Sequence, residues 1–415
     1  MNYDFLKKLI IPAETRIVML IMDGLGGLPR EHGGKTELEA AYTPNLDALA
    51  ARSALGFSSP AGPGIAVGSG PGHLAIFGFD PIEHEIGRGA LEALGVDLDI
   101  GPDDVAARGN FCKVDKDGIL VDRRAGRLST PEATKLARIL NTIKIEGAEF
   151  HIEPVKEHRF AFVMRGEKLS AELEDTDPLK NGIAPKPANA KTADAEHTVN
   201  LLNEYVKQVK DMLEEEDQAN MILLRGFDRL PVLPQYEDLF KLRAASIAVN
   251  GMYKGVSRLV GMKVLPVEGY DIEDEFTTLE KYFDQFDFFY IHIKQTDTHG
   301  EDGDFDRKVK VIEYVDTQIP RILALNPDVI LVTGDHSSPA ILKSHSWHPV
   351  PALVYGKFVR EDNIPEFGER ACARGSLGIM PAVDFLPLLL ANAGRIQKYG
   401  RSEERRVGKE CRSRW

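Results

Sequence analysis

The sequence predicts an α/β fold: a doubly wound, mostly parallel sheet with a smaller α+β domain inserted into it. Three observations carry this expectation. Short apolar runs at 16–22, 221–224, 244–249, 286–293, 329–333 and 351–355 have the length and continuous apolarity of strands buried on both faces. Helical patterns lie between them, and strand–helix alternation implies helices on both faces of one sheet. The stretch from about 83 to 190 reads differently, with Gly-rich turns, the turn Asp115-Lys116-Asp117-Gly118 and a short strand-like run at 160–164.

The elements follow in order. Thr43-Pro44 opens a helix, with Thr43 as cap and Pro44 in the first turn. Further helical patterns cover about 193–215 and 305–325. The Pro/Lys/Asn-rich segment 181–191 reads as a linker after which the core pattern resumes. The expected division is therefore core at 1–83, insertion at 84–190 and core again at 191–400. The remaining segment, 401–415, holds six basic residues against three glutamates and has no apolar periodicity. It reads as a non-native tail, against the alternative of a genuine basic tail.

Length and composition limit the function classes. A chain of 415 residues exceeds what one core usually supports. No apolar run approaches the roughly 18 residues of a membrane span, and no signal peptide is evident. Cys112, Cys372 and Cys411 show no paired metal-ligand spacing, which suits a reducing cytoplasm. A net charge of −13 argues against a nucleic-acid partner.

The chemistry-bearing residues fall at the ends of expected strands. Asp23 follows the first run, Asp297 follows 286–293, and Asp335 and His336 follow 329–333, while His345 precedes the last run. Open α/β sheets gather ligand sites at that edge. Carboxylates and histidines together suit a pair of divalent cations such as Mn²⁺ or Zn²⁺. Ser69 lies in the glycine-rich Gly68-Ser69-Gly70-Pro71-Gly72-His73 at the start of an expected helix, where free N–H groups favour phosphate. No Ser/His/Asp triad accompanies it, so metal coordination is the expected activator. Arg88, Arg108, Arg123, Arg124, Arg127, Arg225, Arg229 and Lys254 stand out in so acidic a chain as candidate clamps for phosphate and carboxylate.

The segments IMDGLGG, KTELEAAYTPNLDALA, PGIAVGSGPGHLAIFGFDP, GRGALEALG, DTDPLK, KGVSRLVGM, TDTHGEDGDF, GDHS and HSWHPVP occur in that order. Together they resemble the archaeal-type 2,3-bisphosphoglycerate-independent phosphoglycerate mutases of the alkaline phosphatase superfamily, over about 15–398. The resemblance implies an alkaline-phosphatase-like core. It also implies interconversion of 3- and 2-phosphoglycerate, a small phosphorylated three-carbon acid, through a phosphoserine. Two divalent ions, usually Mn²⁺ with Zn²⁺, Co²⁺ or Mg²⁺ as alternatives, would assist. Ser69 would be the nucleophile, and Asp23, Ser69, Asp335 and His336 would hold one metal. Asp297 and His345 would belong to the second. Lys254 would face the phosphate, with Arg225 and, less directly matched, Arg108, Arg123 and Arg127 on the substrate. One departure stands: where the family often has histidine four residues after the aspartate, this chain has Glu301, with His299 nearby. Either Glu301 or His299 would then be the remaining ligand of the second site. Rival readings are a superfamily phosphatase, phosphopentomutase or homoserine-kinase-like phosphotransferase, and a silent metal-binding relative. Closure of the insertion about 181–191 would keep water from the phosphoserine.

Overall fold

The computed structural model describes residues 3–400; the expected tail at 401–415 lies outside them. Thirteen strands occur in chain order among the described residues. They are β1 (Ile17–Met22), β2 (Ser53–Ser59), β3 (Val105–Val114), β4 (Leu120–Asp122), β5 (Ala148–Lys156), β6 (Arg159–Gly166) and β7 (Met221–Asp228). β8 (Ala244–Ile247), β9 (Lys263–Val264), β10 (Phe288–Ile293), β11 (Val329–Thr333), β12 (Val350–Gly356) and β13 (Gly378–Pro381) follow. The large sheet runs β13-β2-β12-β11-β1-β10-β8-β9. β1 lies between β10 and β11, parallel to both, and all its residues are buried. Alternation along β1 sends Ile17, Met19 and Ile21 into one apolar layer and Val18, Leu20 and Met22 into the other. Helices cover both layers. Ser69–Ile76 and Gly251–Leu259 pack on the first, and Pro44–Ala50, Ile272–Tyr282 and Phe305–Ala324 on the second. The mixed α/β, mostly parallel architecture is as expected, although β12 is antiparallel to both β11 and β2.

A second sheet holds β4-β3-β6-β5, with β7 pairing antiparallel to β3. This corrects the expectation that 221–224 is a parallel strand of the main sheet. Ile222 and Leu224 instead join a separate core with Phe111, Phe160 and Phe162 under the helices Thr130–Leu140 and Glu196–Leu213. The sheet and its core therefore run past residue 190 to Asp228. The reason is that an apolar strand of this length reads alike in either sheet.

The 181–191 segment is not a bare connector between the sheets. Gly182 N–H donates to Leu120 O, Lys186 N–H to Thr176 O and Lys191 N–H to Glu172 O, while Ala188 N–H donates to Asn203 Oδ1. These bonds tie it to the second sheet's own unit, so a hinge there loses its motivation. The chain crosses between the sheets at 96–104 and 229–243, where Leu98, Ile100, Pro102, Leu230 and Pro231 line a crevice.

The helix Ser69–Ile76 approaches the end of β11 closely. A Cβ on Gly72 would lie 2.6 Å from the Asp335 carbonyl oxygen, which cannot move without disturbing Asp335. Gly72→Ala is expected to cost about 1–3 kcal/mol, read from denaturant unfolding, and to lower activity well beyond that loss by displacing Ser69.

Candidate metal and phosphoryl-transfer site

Three strand ends set the site. Asp23 follows β1, Asp335 and His336 follow β11, and Lys294 follows β10 just before the helix Gln295–Asp302 that carries Asp297. Asp23, Asp297, Asp335 and His336 are buried. The turn after Asp23 needs Gly24, whose φ is +63° and where a Cβ would meet Ser338 Oγ and Asp297 Oδ1 at 2.7 and 2.8 Å.

Two groups of ligand atoms form there. Asp23, Asp335 and His336 make one, and Asp297, His336 and His345 the other, with the atoms of each within 4.8 Å of one another. His336 Nε2 lies 3.2 Å from both Asp23 Oδ1 and Asp335 Oδ2. Ser69 Oγ lies 3.1 Å from the same nitrogen, at the N-terminus of its helix, where Gly68 is the cap. His345 Nε2 lies 3.5 Å from Asp297 Oδ1 and 3.3 Å from Glu301 Oε1. The rings of His336 and His345 stack at 3.6 Å.

The second nitrogens settle what these histidines offer. His345 Nδ1 donates to Val67 O at 2.8 Å. Ser338 Oγ donates to Asp297 Oδ1 at 2.5 Å and so accepts from His336 Nδ1 at 3.1 Å. Both rings thus keep Nε2 turned toward the acids, the orientation of metal-ligating histidine. Asp23 Oδ1 and Asp335 Oδ2 are buried without a hydrogen-bond partner. Such atoms are costly unless a cation meets them. The donor set of carboxylate, imidazole and hydroxyl therefore fits divalent metal.

Electrostatics points the same way. Burial alone would raise Asp23, yet the hydrogen bond from His292, the adjacent His336 imidazole and the charge of Lys294 hold it well below the carboxylate range. Burial and the neighbouring Asp23 charge push Asp335 well above that range. Two carboxylates driven apart in this way mark a place where one positive charge is too few.

Several functional side chains escaped the sequence reading. Lys294 Nζ bridges Asp23 Oδ2 at 3.2 Å and Asp297 Oδ2 at 2.6 Å. Its signal was available: a lysine directly after a strand and three residues before Asp297. His292 donates from Nε2 to Asp23 Oδ2 at 3.0 Å. His73 donates from Nδ1 to Ser69 O at 2.7 Å and lies 3.1 Å from Asp335 Oδ2. Burial lowers both to about 4, so they are neutral orienting groups. His73 stands one helical turn after Ser69, which was its only sequence cue.

Two expected residues sit elsewhere. Lys254 makes no contact with the ligand groups: its Nζ lies 3.8 Å from Asp97 Oδ2, and it lines a cavity of about 660 Å³ with Arg258 and Lys263. The reason is helical phase, because the preceding Tyr253 takes the inward position and stacks on His292 at 3.6 Å. Among the described residues neither His299 nor Glu301 joins a ligand group, although Glu301 Oε1 lies 3.3 Å from His345 Nε2.

The arginines gather in the second sheet. Arg108, Arg123, Arg127 and Arg225 line one cavity of about 450 Å³, with Arg124 and Arg159. Arg108 and Arg225 are directly paired across β3 and β7. Like charges opposite each other destabilise a sheet unless an anion joins them. Arg123 grips Asp177 at 2.6 and 2.9 Å, so its fork is already engaged. The helix Arg88–Gly95 packs on β3 and β7 and also on Gly251–Leu259, and Leu91 lies against Gly70. It thus joins the arginine face to the Ser69 helix.

Lys294 is the positive charge that the protein itself sets against two buried carboxylates. Lys294→Met is expected to destabilise the chelated protein by about 3 kcal/mol in urea or guanidinium unfolding, with much of that loss recovered on adding Mn²⁺.

Comparison with known proteins gives a consistent answer. The family described as 2,3-bisphosphoglycerate-independent phosphoglycerate mutase matches residues 50–219. A probable 2,3-bisphosphoglycerate-independent phosphoglycerate mutase of Thermosipho africanus is 50% identical over 397 residues, covering 95% of this chain and 98% of the relative. A Thermus thermophilus protein of the same description is 48% identical over 402 residues, with 96% and 99% covered. Among solved structures, the PH0037 protein of Pyrococcus horikoshii has a TM-score of 0.78 at 29% identity, over 94% of this chain and 100% of that one. The cofactor-independent phosphoglycerate mutase of Thermoplasma acidophilum has a TM-score of 0.76 at 28% identity, over 92% and 100%. The resemblance drawn from the sequence motifs is borne out, and the chain belongs to the 2,3-bisphosphoglycerate-independent phosphoglycerate mutase family.

Proposed function

We propose that this chain interconverts 3-phosphoglycerate and 2-phosphoglycerate, with Ser69 carrying the phosphoryl group between the two hydroxyls. The observation that carries this is Ser69 Oγ at a helix N-terminus, 3.1 Å from a histidine that two ligand groups share. The family membership supports the substrate.

Asp23, Ser69, Asp335 and His336 would hold one divalent ion, and Asp297, His345 and Glu301 the other. Mn²⁺ is our choice, because oxygen-rich donors with imidazole suit it. When bound, the ions would lower the pKa of the serine hydroxyl and neutralise phosphoryl charge. The chain's own residues do the rest. Ser69 Oγ attacks phosphorus and loses its proton as the bond to the C3 oxygen breaks, and that oxygen takes up a proton. Glycerate is retained and turned, and its C2 hydroxyl then attacks the phosphoserine, restoring Ser69. Free N–H groups at the helix start favour the phosphoryl oxygens. Arg108, Arg127 and Arg225 would hold the carboxylate and keep glycerate from leaving. Lys294, which bridges Asp23 and Asp297, would face the phosphoryl group, and Arg123 would orient the pocket through Asp177.

We assign these roles to two units: the main sheet with metals and serine, and the second sheet, about 105–228, with the arginines. The crossing segments 96–104 and 229–243 are where the units would bend to exclude water. We place the reaction in the cytoplasm, supported by the free, buried Cys112 and Cys372. Among the described residues no helix is long and apolar enough to cross a membrane.

An enolase-coupled assay tests the reading. Production of 2-phosphoglycerate from 3-phosphoglycerate is expected, to fall to background in Ser69→Ala and after chelation, and to return with Mn²⁺. Release of inorganic phosphate without 2-phosphoglycerate would make the chain a hydrolase instead. Arg225→Ala is expected to raise KM about tenfold or more, the loss of a charge-assisted pair with the substrate.

A further inference from the structure

Lys308 is fully buried in the first turn of the helix Phe305–Ala324, yet among the described residues it forms no ion pair. Both facts are unfavourable. A buried ammonium normally has a carboxylate partner, and a cation is disfavoured at a helix N-terminus. What it has instead are three backbone carbonyls: Gly24 O at 2.8 Å, Gly26 O at 3.2 Å and Ser338 O at 2.8 Å. An ammonium has three donors and no acceptor, so this trio matches it fully. A methionine of similar volume would fill the space and leave all three carbonyls facing one another.

The carbonyls come from two loops. Gly24 and Gly26 follow Asp23, and Ser338 follows Asp335 and His336. Ser338 N–H also lies 3.2 Å from Gly24 O and 3.1 Å from Gly26 O. The hydroxyl of the same serine joins Asp297 Oδ1 to His336 Nδ1. Its backbone is thus fixed by Lys308, while its side chain touches one residue of each ligand group.

We propose that Lys308 and Ser338 form a positioning unit that locks the two metal-bearing loops together and couples the two metal sites. This rests on the metal reading above. Lys308 touches no ligand side chain and acts through the loop backbones; Ser338 fixes the His336 tautomer and the Asp297 orientation. Outer partners of this kind typically change metal affinity by about 10–100-fold.

The test is Mn²⁺ titration of the full chain, with free Mn²⁺ followed by electron paramagnetic resonance, for wild type, Lys308→Met and Ser338→Ala. Steady-state kinetics on the same preparations give kcat and KM. Two bound ions are expected for wild type. Both variants are expected to weaken the two sites together by about tenfold or more, and to lower kcat with KM changed little. If Lys308→Met does not fold, Ser338→Ala decides by itself, since it removes one hydroxyl. Either variant folding and binding two Mn²⁺ with wild-type affinity would overturn the proposal, as would weakening confined to one site. Failure of wild type to bind Mn²⁺ would sink the metal reading itself, and this proposal with it.

Discussion

Three carboxylates meet in the interior at one sheet edge with too few positive charges to balance them. Asp23, Asp297 and Asp335 are at most 1% exposed, and among the described residues the only lysine or arginine paired with them is Lys294. Burying like charges is among the most expensive things a fold does, so the surroundings are built to hold them. The buried histidines His73 and His292 are neutral props, the rings of Tyr253 and His292 stack behind the site, and glycines stand where any side chain would collide with it. The same imbalance that burdens folding makes the place receptive to divalent cations.

The main sheet explains how residues hundreds of positions apart come together. β10, β1 and β11 are adjacent and parallel, so the loops after them leave on the same side. Ser69 reaches that edge from the helix that packs on one face, and Asp297 and Lys308 from helices on the other side of the strand ends. The second sheet adds what the first lacks, a concentration of arginine in an acidic chain. On the proposed function, an edge rich in acids and histidines and an arginine-rich face would divide the recognition of a phosphorylated acid between two cores.

Much of this was legible in the sequence, for a physical reason. Apolar runs ending in Asp or Asp-His announce both a buried strand and the edge at which it stops, and parallel pairing then fixes where the acids meet. Ser69 was legible because Gly68 and Gly70 flank it at a helix start. What stayed hidden depended on side-chain direction and sheet membership. Lys254 and Tyr253 are neighbours in sequence but only one can face the site, and periodicity gave no anchor for the phase. The 221–224 run has the apolarity of a main-sheet strand, and its pairing with β3 is a long-range choice. Lys308 reads as an ordinary charged residue in an amphipathic helix, since its three carbonyl partners carry no sequence signal. Lys294 was overlooked beside the acidic residues that it serves.

The central claim is that the Ser69 hydroxyl accepts the phosphoryl group. Acid-quenching the Mn²⁺-loaded chain during turnover of 3-phosphoglycerate, followed by peptide mass spectrometry, tests it most directly. The account predicts a phosphorylated peptide in which the modified residue is Ser69, absent when metal is removed. Phosphate on another residue, or undiminished turnover with Ser69 never modified, would contradict it.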